Sequence, residues 1–225
     1  MTQVSDIPAW LRPLVSAAGN VLPEELSKFL PPAEGGRQSA VLMLLGDGPD
    51  GPDLLLIQRA EDLRTHAGQP AFPGGAVDPG DRGPVEAALR EATEETGLDP
   101  AGVRVVGVLP ALFLPPSGFV VTPVLGWWSE PSPVSVVDPV EVAAVHRVPL
   151  RELVDPANRL RVQHPSGYIG PAFRVRGMLV WGFTAGLIGR LLRLGGWEQA
   201  WNPARVEDVP LEAVRSDSRS TEPAP

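Results

Sequence analysis

The chain has 225 residues, of which 43% are hydrophobic and 20% charged, a balance that suits one substantial domain with a buried core. A formal net charge of −8 excludes the broad basic face that non-specific nucleic-acid binding needs, and the absence of cysteine excludes disulfides and thiolate chemistry. The first residues, MTQVSDIPAWLRPLVSAAG, lack a basic start followed by an unbroken apolar core, so no signal peptide is expected and a cytoplasmic location is.

Residues 7–30 carry two short helical patterns, around 9–15 and 23–30, divided by Gly19-Asn20. With the linker PPAEGGR at 31–37 they make an N-terminal helical extension, residues 1–37, packed on a domain over 38–200. Residues 39–45 read as a buried strand, 46–52 as a glycine- and proline-rich turn and 54–58 as a second strand, a hairpin with a mobile tip. A loop over 60–67 carries Arg64 and His66, and after it come the turn Gly74-Gly75 and a helix over Pro84–Thr96. Strands are expected at 103–109, Phe119–Trp128 and 140–148, a helical turn at 149–153, and a late hairpin from 161–164 and 172–175. From 177 to 194 the apolar Leu179, Phe183, Leu187 and Leu191 recur at helical spacing. Arg190 and Arg193 interrupt that stretch, which falls short of the roughly 20 apolar residues a bilayer span needs, so a core helix is expected there. The polar tail, residues 201–225, is expected to be disordered. Strands arranged around two helices point to an α/β sandwich with a mixed sheet between helices.

The run from Phe72 to Leu98, FPGGAVDPGDRGPVEAALREATEETGL, carries the chemistry. It joins a glycine turn to a helix on which Glu91, Glu94 and Glu95 stand at i, i+3 and i+4, close to one face. Like charges at that spacing repel by a few tenths of a kcal/mol per pair, roughly, on an isolated helix. A solvated acidic face accounts for such a cluster, and so does a divalent cation held among hard oxygen ligands. The surroundings favour the cation. Arg90 precedes Glu91, Pro84 suits a first helical turn, Gly97 suits the residue that ends a helix, and Gly74-Gly75 let backbone approach a ligand closely.

The segment Arg90-Glu91-Ala92-Thr93-Glu94-Glu95-Thr96-Gly97-Leu98 resembles the second half of the Nudix box, R-E-U-x-E-E-x-G-U, where U is aliphatic or small. The box opens G-x5-E-x7 before the arginine; here the match is Gly75-x5-Asp81-x8, with aspartate for glutamate and one extra residue, so no role is carried over to Asp81. Upstream, Leu55-Leu56-Ile57-Gln58-Arg59-Ala60, then Arg64, Gly68 and Phe72-Pro73-Gly74-Gly75, resembles the further signature of the coenzyme A pyrophosphatase subfamily, with Ile57 for threonine and Ala71 for serine or cysteine. A weaker likeness runs through Val121-Thr122-Pro123-Val124, Glu141-Val142 and Val180-Trp181-Gly182-Phe183-Thr184-Ala185, so that it spans roughly residues 38–194.

This resemblance implies the Nudix fold, an α/β/α sandwich with a mixed β-sheet. It implies metal-dependent hydrolysis of coenzyme A or a derivative to 3′,5′-ADP and 4′-phosphopantetheine, with Mg²⁺ or Mn²⁺ as cofactor. Glu91 and Glu95 would be metal ligands with Glu94 sharing the site, and Arg90 would brace the loop and a glutamate. The general base would be Glu141, at the head of a predicted strand, or Glu94. Arg59 and Arg64 would contact phosphate oxygens, since guanidinium forks suit them, and Gly74 and Gly75 would let backbone approach the substrate. Phe113 and Phe119 are candidates for walls of an adenine or pantetheine pocket, with core packing the alternative. His66 and His164 read as hydrogen-bonded surface residues rather than ligands. The partner is a small nucleotide diphosphate, with no nucleic acid and no membrane, and the chain is a monomer or homodimer. The competing functions are hydrolysis of another nucleoside diphosphate derivative, such as ADP-ribose, and a non-catalytic nucleotide-sensing module of the same fold.

Overall fold

A computed structural model describes residues 6–27, 29–32, 34–63, 66–115 and 117–210. Its strands form two sheets around five helices. The centre of the first sheet is β1 (Arg37–Gly48), which pairs antiparallel with β2 (Gly51–Arg59). Short strands β3 (Pro70–Ala71) and β4 (Gly74–Ala76) pair with β2 and β1. Then come α3 (Pro84–Thr96), β5 (Val103–Val108), β6 (Leu112–Leu114), β7 (Phe119–Trp128) and β8 (Val142–Pro149). The sheet runs β3-β2-β1-β7-β5, with β4 on β1, β6 on β7 and β8 on β2, and it is mixed because β1 and β7 are parallel. Two helices precede it, α1 (Arg12–Ala18) and α2 (Pro23–Leu26), and α4 (Leu150–Val154) follows. The second sheet, β11-β10-β9-β12, is built from β9 (Arg159–Gln163), β10 (Ile169–Val175), β11 (Met178–Val180) and β12 (Val206–Asp208), with α5 (Gly182–Leu194) between the last two strands.

The layers follow from the alternation of side chains along β1. Ala40, Leu42 and Leu44 pack with Ala87, Ala88 and Ala92 of α3, and with Val124 and Trp128. Met43 and Leu45 point the other way, toward Leu187, Ile188 and Leu191 of α5 and Phe173 of β10. A strand buried on both faces reads as an unbroken apolar run, as residues 40–45 do. The alanines on α3 let the helix lie close to the sheet, which brings its acidic flank to the β4 backbone.

The structure departs from the sequence reading in three places, the hairpin tip, the start of the last helix and the start of the tail. The strands of the first hairpin run on to Gly48 and Gly51, so the tip is a two-residue turn at Pro49-Asp50 rather than a long loop. The helix read from 177 begins only at Gly182. Met178–Val180 is instead β11, turned back onto β10 by Arg176 and Gly177, both at positive φ (51° and 75°). An apolar strand followed by an apolar helix fits a helical period by coincidence. The N-terminal helices supply Ile7, Leu11, Leu14 and Leu26 to the main core. The polar tail does not begin at 201: Val206–Asp208 pairs parallel with β9 and Val209 is buried, while residues 211–225 lie outside those described. Among the described residues, no helix is long and apolar enough to cross a membrane.

Candidate active site

The glycine turn and α3 form one unit. Glycine 83, at φ 143°, opens the helix ahead of Pro84, and Gly97, left-handed at φ 68°, closes it. Glu95 faces the sheet and is only 4% exposed. Its Oε2 accepts the Gly74 N–H at 2.9 Å. Burial pushes its carboxyl up to about 8, the charges of Glu91 and Glu141 push the same way, and the Gly74 N–H and the Arg59 charge oppose them. Glu91 is also raised, first by burial, with Arg90 opposing and Glu94 and Glu141 adding to it. The Glu91 carboxylate lies against Gly75, so closely that a Cβ there would stand 2.5 Å from its Cδ. At Gly74 a Cβ would stand 2.3 Å from the Ala40 carbonyl oxygen. The chain's own groups therefore use the space both glycines leave.

Arg90 ties the turn to the helix. Its Nε and Nη2 donate to the two oxygens of Asp81, each at 3.1 Å, and Nη2 also donates to the Ala76 carbonyl at 3.1 Å. Nη1 donates to Glu91 Oε1 at 3.0 Å and to Glu94 Oε2 at 3.1 Å. The Asp81 carboxylate, 5% exposed, is held below its ordinary range chiefly by that arginine. Arg90 thus bonds to the loop at Asp81 and Ala76 and pairs with Glu94 across one helical turn. Asp81, to which no role was carried over, completes the brace.

Glu141, expected within a strand over 140–148, lies instead in the turn just before β8, which begins at Val142. The Asp138 carbonyl accepts the N–H groups of Glu141 (3.2 Å) and Val142 (2.9 Å), and Asp138 Oδ1 accepts that of Val140 at 2.9 Å. The Glu141 carbonyl accepts the Ala60 N–H at 2.9 Å, which fixes this turn to the end of β2. Glu141 is thereby near enough for its charge to raise both Glu91 and Glu95. Arg59 ends β2 beside it, and its charge stabilises the ionised Glu95. Among the described residues Arg59 forms no ion pair, and its Nε is buried without a hydrogen-bond partner.

Thus Glu91, Glu95, Glu141 and Arg59 converge, with Arg90 and Glu94 at the rim. Arg64 lies outside the described residues. His66 Nδ1 is 3.1 Å from Gln69 Oε1, and His164 belongs to the second sheet, stacked on Trp181 with ring centroids 6.1 Å apart. Phe119 carries the Arg37 guanidinium over its ring at 4.6 Å, and Phe113 stands on β6. Among the described residues, no three carboxylate or histidine side chains are gathered tightly enough to hold a metal as they stand. Glu91 and Glu94 each spend one oxygen on Arg90 and Glu95 one on Gly74, and the second oxygen of each makes no hydrogen bond among those residues.

A model of the NUDIX domain matches residues 36–169. The chain belongs to the Nudix family. Two curated relatives, both named "Uncharacterized Nudix hydrolase NudL", come from Cronobacter sakazakii and Escherichia coli (strain K12). They are 46% and 43% identical over 167 residues, which is 71% of this chain and 83% of each relative. Among solved structures, the Nudix hydrolase RenU of M. Smegmatis superposes with a TM-score of 0.52 at 22% identity, over 75% of this chain and 91% of that one, a likeness of fold. The mixed sheet between helices is thus the Nudix fold, and the Nudix box occupies the glycine turn and α3.

Proposed function

We propose that this Nudix chain hydrolyses the diphosphate bond of coenzyme A and its derivatives, giving 3′,5′-ADP and 4′-phosphopantetheine. The observation that carries this reading is Arg59, a guanidinium without an ion-pair partner among the described residues, next to a buried carboxylate cluster and inside the segment that resembles the coenzyme A subfamily signature. An unpaired guanidinium beside carboxylates suits an anionic group that binds between them, and a diphosphate is such a group.

The residues fit a divalent cation. Glu95 is buried without a cationic side chain bonded to it, and Glu91, Glu94 and Glu95 each keep one uncommitted oxygen, the donor type that hard cations take. Glu91, Glu95 and Glu94 would hold Mg²⁺ or Mn²⁺, which when bound supplies charge neutralisation at the phosphates and a lowered pKa for a bound water. The chain's own groups do the rest. Arg59 grips the diphosphate and orients it. The water oxygen bonds to one phosphorus, the P–O bond of the bridge breaks, and the water proton passes to a carboxylate. We assign that base to Glu141, because it reaches the cluster from outside the helix and its carboxylate makes no hydrogen bond among the described residues. Glu94 is the rival; it is 57% exposed and already shares Arg90.

The test is a substrate panel of coenzyme A, 3′-dephospho-coenzyme A, ADP-ribose and a dinucleotide, run with and without Mg²⁺ or Mn²⁺, with products identified by mass. Metal-dependent release of 4′-phosphopantetheine is expected. A marked preference for ADP-ribose or the dinucleotide would replace the substrate; no turnover of any of them would favour a sensing module.

A further inference from the structure

Asp138-Pro139-Val140-Glu141 has the composition of a tight turn, with aspartate opening it and proline in second place. The turn is formed: the Asp138 carbonyl accepts the Glu141 and Val142 N–H groups, at 3.2 and 2.9 Å. The Asp138 side chain adds a third bond, its Oδ1 accepting the Val140 N–H at 2.9 Å. Among the described residues the Asp138 carboxylate makes no other hydrogen bond and no ion pair. Its one contact is with the peptide directly ahead of Glu141.

The segment that carries this turn is tied to the site at both ends. The Ser135 N–H donates to the Thr96 carbonyl at 3.0 Å and the Val137 N–H to the Glu95 carbonyl at 3.4 Å, two carbonyls that the end of α3 leaves without partners inside the helix. At the other end the Glu141 carbonyl accepts the N–H of Ala60, the residue after Arg59, at 2.9 Å. Apolar packing holds little of what lies between, since Val137 is 55% and Val140 73% exposed. The shape of the turn, and the direction in which the Glu141 side chain leaves it, therefore depend on hydrogen bonds. Among the described residues Asp138 supplies the one such bond within the turn that comes from a side chain.

We infer that Asp138 is a positioning residue for the reaction, its carboxylate holding through the Val140 N–H the turn that aims Glu141 at Glu91 and Glu95. This rests on the reading of Glu141 as the base. Asp138 acts through backbone and touches no reacting atom. Without the Oδ1 acceptor the Val140 N–H turns to water and the turn relaxes about its remaining carbonyl bonds. A glutamate carboxyl carbon stands three bonds out from its Cα, so a small backbone rotation becomes a large displacement of the group that must meet the water. The role does not depend on which diphosphate the chain prefers.

The test compares Asp138→Ala, Asp138→Asn, Glu141→Gln and the double variant Asp138→Ala/Glu141→Gln with the wild type, as full chains at saturating Mg²⁺, on the panel substrate the wild type cleaves best. Asp138→Ala should lower kcat about tenfold to a hundredfold, the latter being the cost of misplacement by about 1 Å, and leave KM and the Mg²⁺ requirement unchanged. Asp138→Asn keeps an oxygen acceptor and should recover most of the loss. In the Glu141→Gln background Asp138→Ala should cost little more, because the residue it acts through is already disabled. Amide hydrogen exchange should quicken at Val140 in Asp138→Ala and stay as in wild type along α3. A wild-type kcat in Asp138→Ala, an equal loss with and without the Glu141 carboxylate, or a variant that does not fold in thermal unfolding overturns the inference. If Glu141→Gln lowers kcat and Asp138→Ala does not, the base stands and the positioning role falls. If Glu141→Gln keeps the wild-type kcat, the base reading falls and takes this inference with it, as does a wild type that cleaves no substrate of the panel.

Discussion

The two glycines of the turn are adjacent, yet alanine should do different damage at each. At Gly74 a Cβ would stand 2.3 Å from the Ala40 carbonyl oxygen and 2.7 Å from the Val41 Cα, both backbone, and φ is 156°, where an L side chain is strained. Backbone in a paired strand cannot move aside. Overpacking costs about 1–3 kcal/mol and the dihedral strain about as much again, so Gly74→Ala should lose about 4 kcal/mol of stability or fail to fold. At Gly75 the obstacle is the Glu91 carboxylate, with its Cδ and Oε1 at 2.5 Å and Oε2 at 2.6 Å, the far end of a flexible side chain. That carboxylate must retreat by about 1 Å to reach ordinary contact. Its 3.0 Å hydrogen bond from Arg90 then lengthens, at about 1–2 kcal/mol of stability. Misplacement by about 1 Å at a reacting site costs about a hundredfold in rate. Gly75→Ala should thus fold, with a small fall in melting temperature, and lose about a hundredfold in kcat/KM. Adding Glu91→Asp, which withdraws the carboxylate by one methylene, should restore the melting temperature though not the rate. Calorimetric unfolding and steady-state turnover on the best substrate of the panel measure both. A Gly75→Ala protein with wild-type turnover, or a Gly74→Ala protein as stable as wild type, would refute the reasoning.

Glu95→Gln should lower kcat by several hundredfold or more, about 3–4 kcal/mol of barrier, while leaving the metal-free protein at least as stable at pH 8, because a buried charge is removed; near-normal turnover at saturating Mg²⁺ would remove Glu95 from the ligands. Glu141→Gln should depress kcat at saturating metal more than it weakens metal binding, whereas Glu94→Gln should weaken both; an unchanged kcat in Glu141→Gln takes that residue out of the mechanism. Far from the site, burial and then the Arg176 charge hold His146 below its ordinary 6.5. The unfolded chain therefore takes up that proton first, so the contribution of neutral His146 to stability is fully present above about pH 6.5 and is lost as pH falls through the lowered value. Urea titrations between pH 7.5 and about 5 should show a smaller acid loss in His146→Gln than in wild type; parallel curves would contradict it.

The helix Pro84–Thr96, the strand Phe119–Trp128 and the central hairpin were legible because each has a period or a punctuating glycine of its own. What the sequence hid depends on partners far away in the chain. Residues 206–208 are polar and short, and become a strand only because β9 offers an open edge. Residues 178–180 look helical until Arg176 and Gly177 reverse the chain ahead of them. Glu141 was legible as a candidate, but the sequence could not supply the Asp138 turn that brings it to the cluster.

The departure at the opening of the Nudix box has a physical resolution. Aspartate is one methylene shorter than the glutamate of the pattern, and the segment before Arg90 is one residue longer. Taken singly, each change would be expected to break a contact between that acid and the arginine. Together they leave Asp81 with both oxygens on Arg90 at 3.1 Å, its carboxylate nearly buried and its Oδ2 also accepting the Asp78 N–H at 2.8 Å. The extra residue carries the acid to the guanidinium that its shorter side chain would not otherwise reach. Arg90 is then free to spend Nη1 on Glu91 and Glu94, so the loop, the helix and the carboxylates remain one assembly. An Asp81→Glu substitution, which restores the pattern residue without shortening the segment, should therefore crowd Arg90 rather than improve it. A loss of activity larger than the loss of stability is expected, because the displaced guanidinium takes Glu91 and Glu94 with it. Improved turnover in Asp81→Glu would show that the two changes are independent of each other.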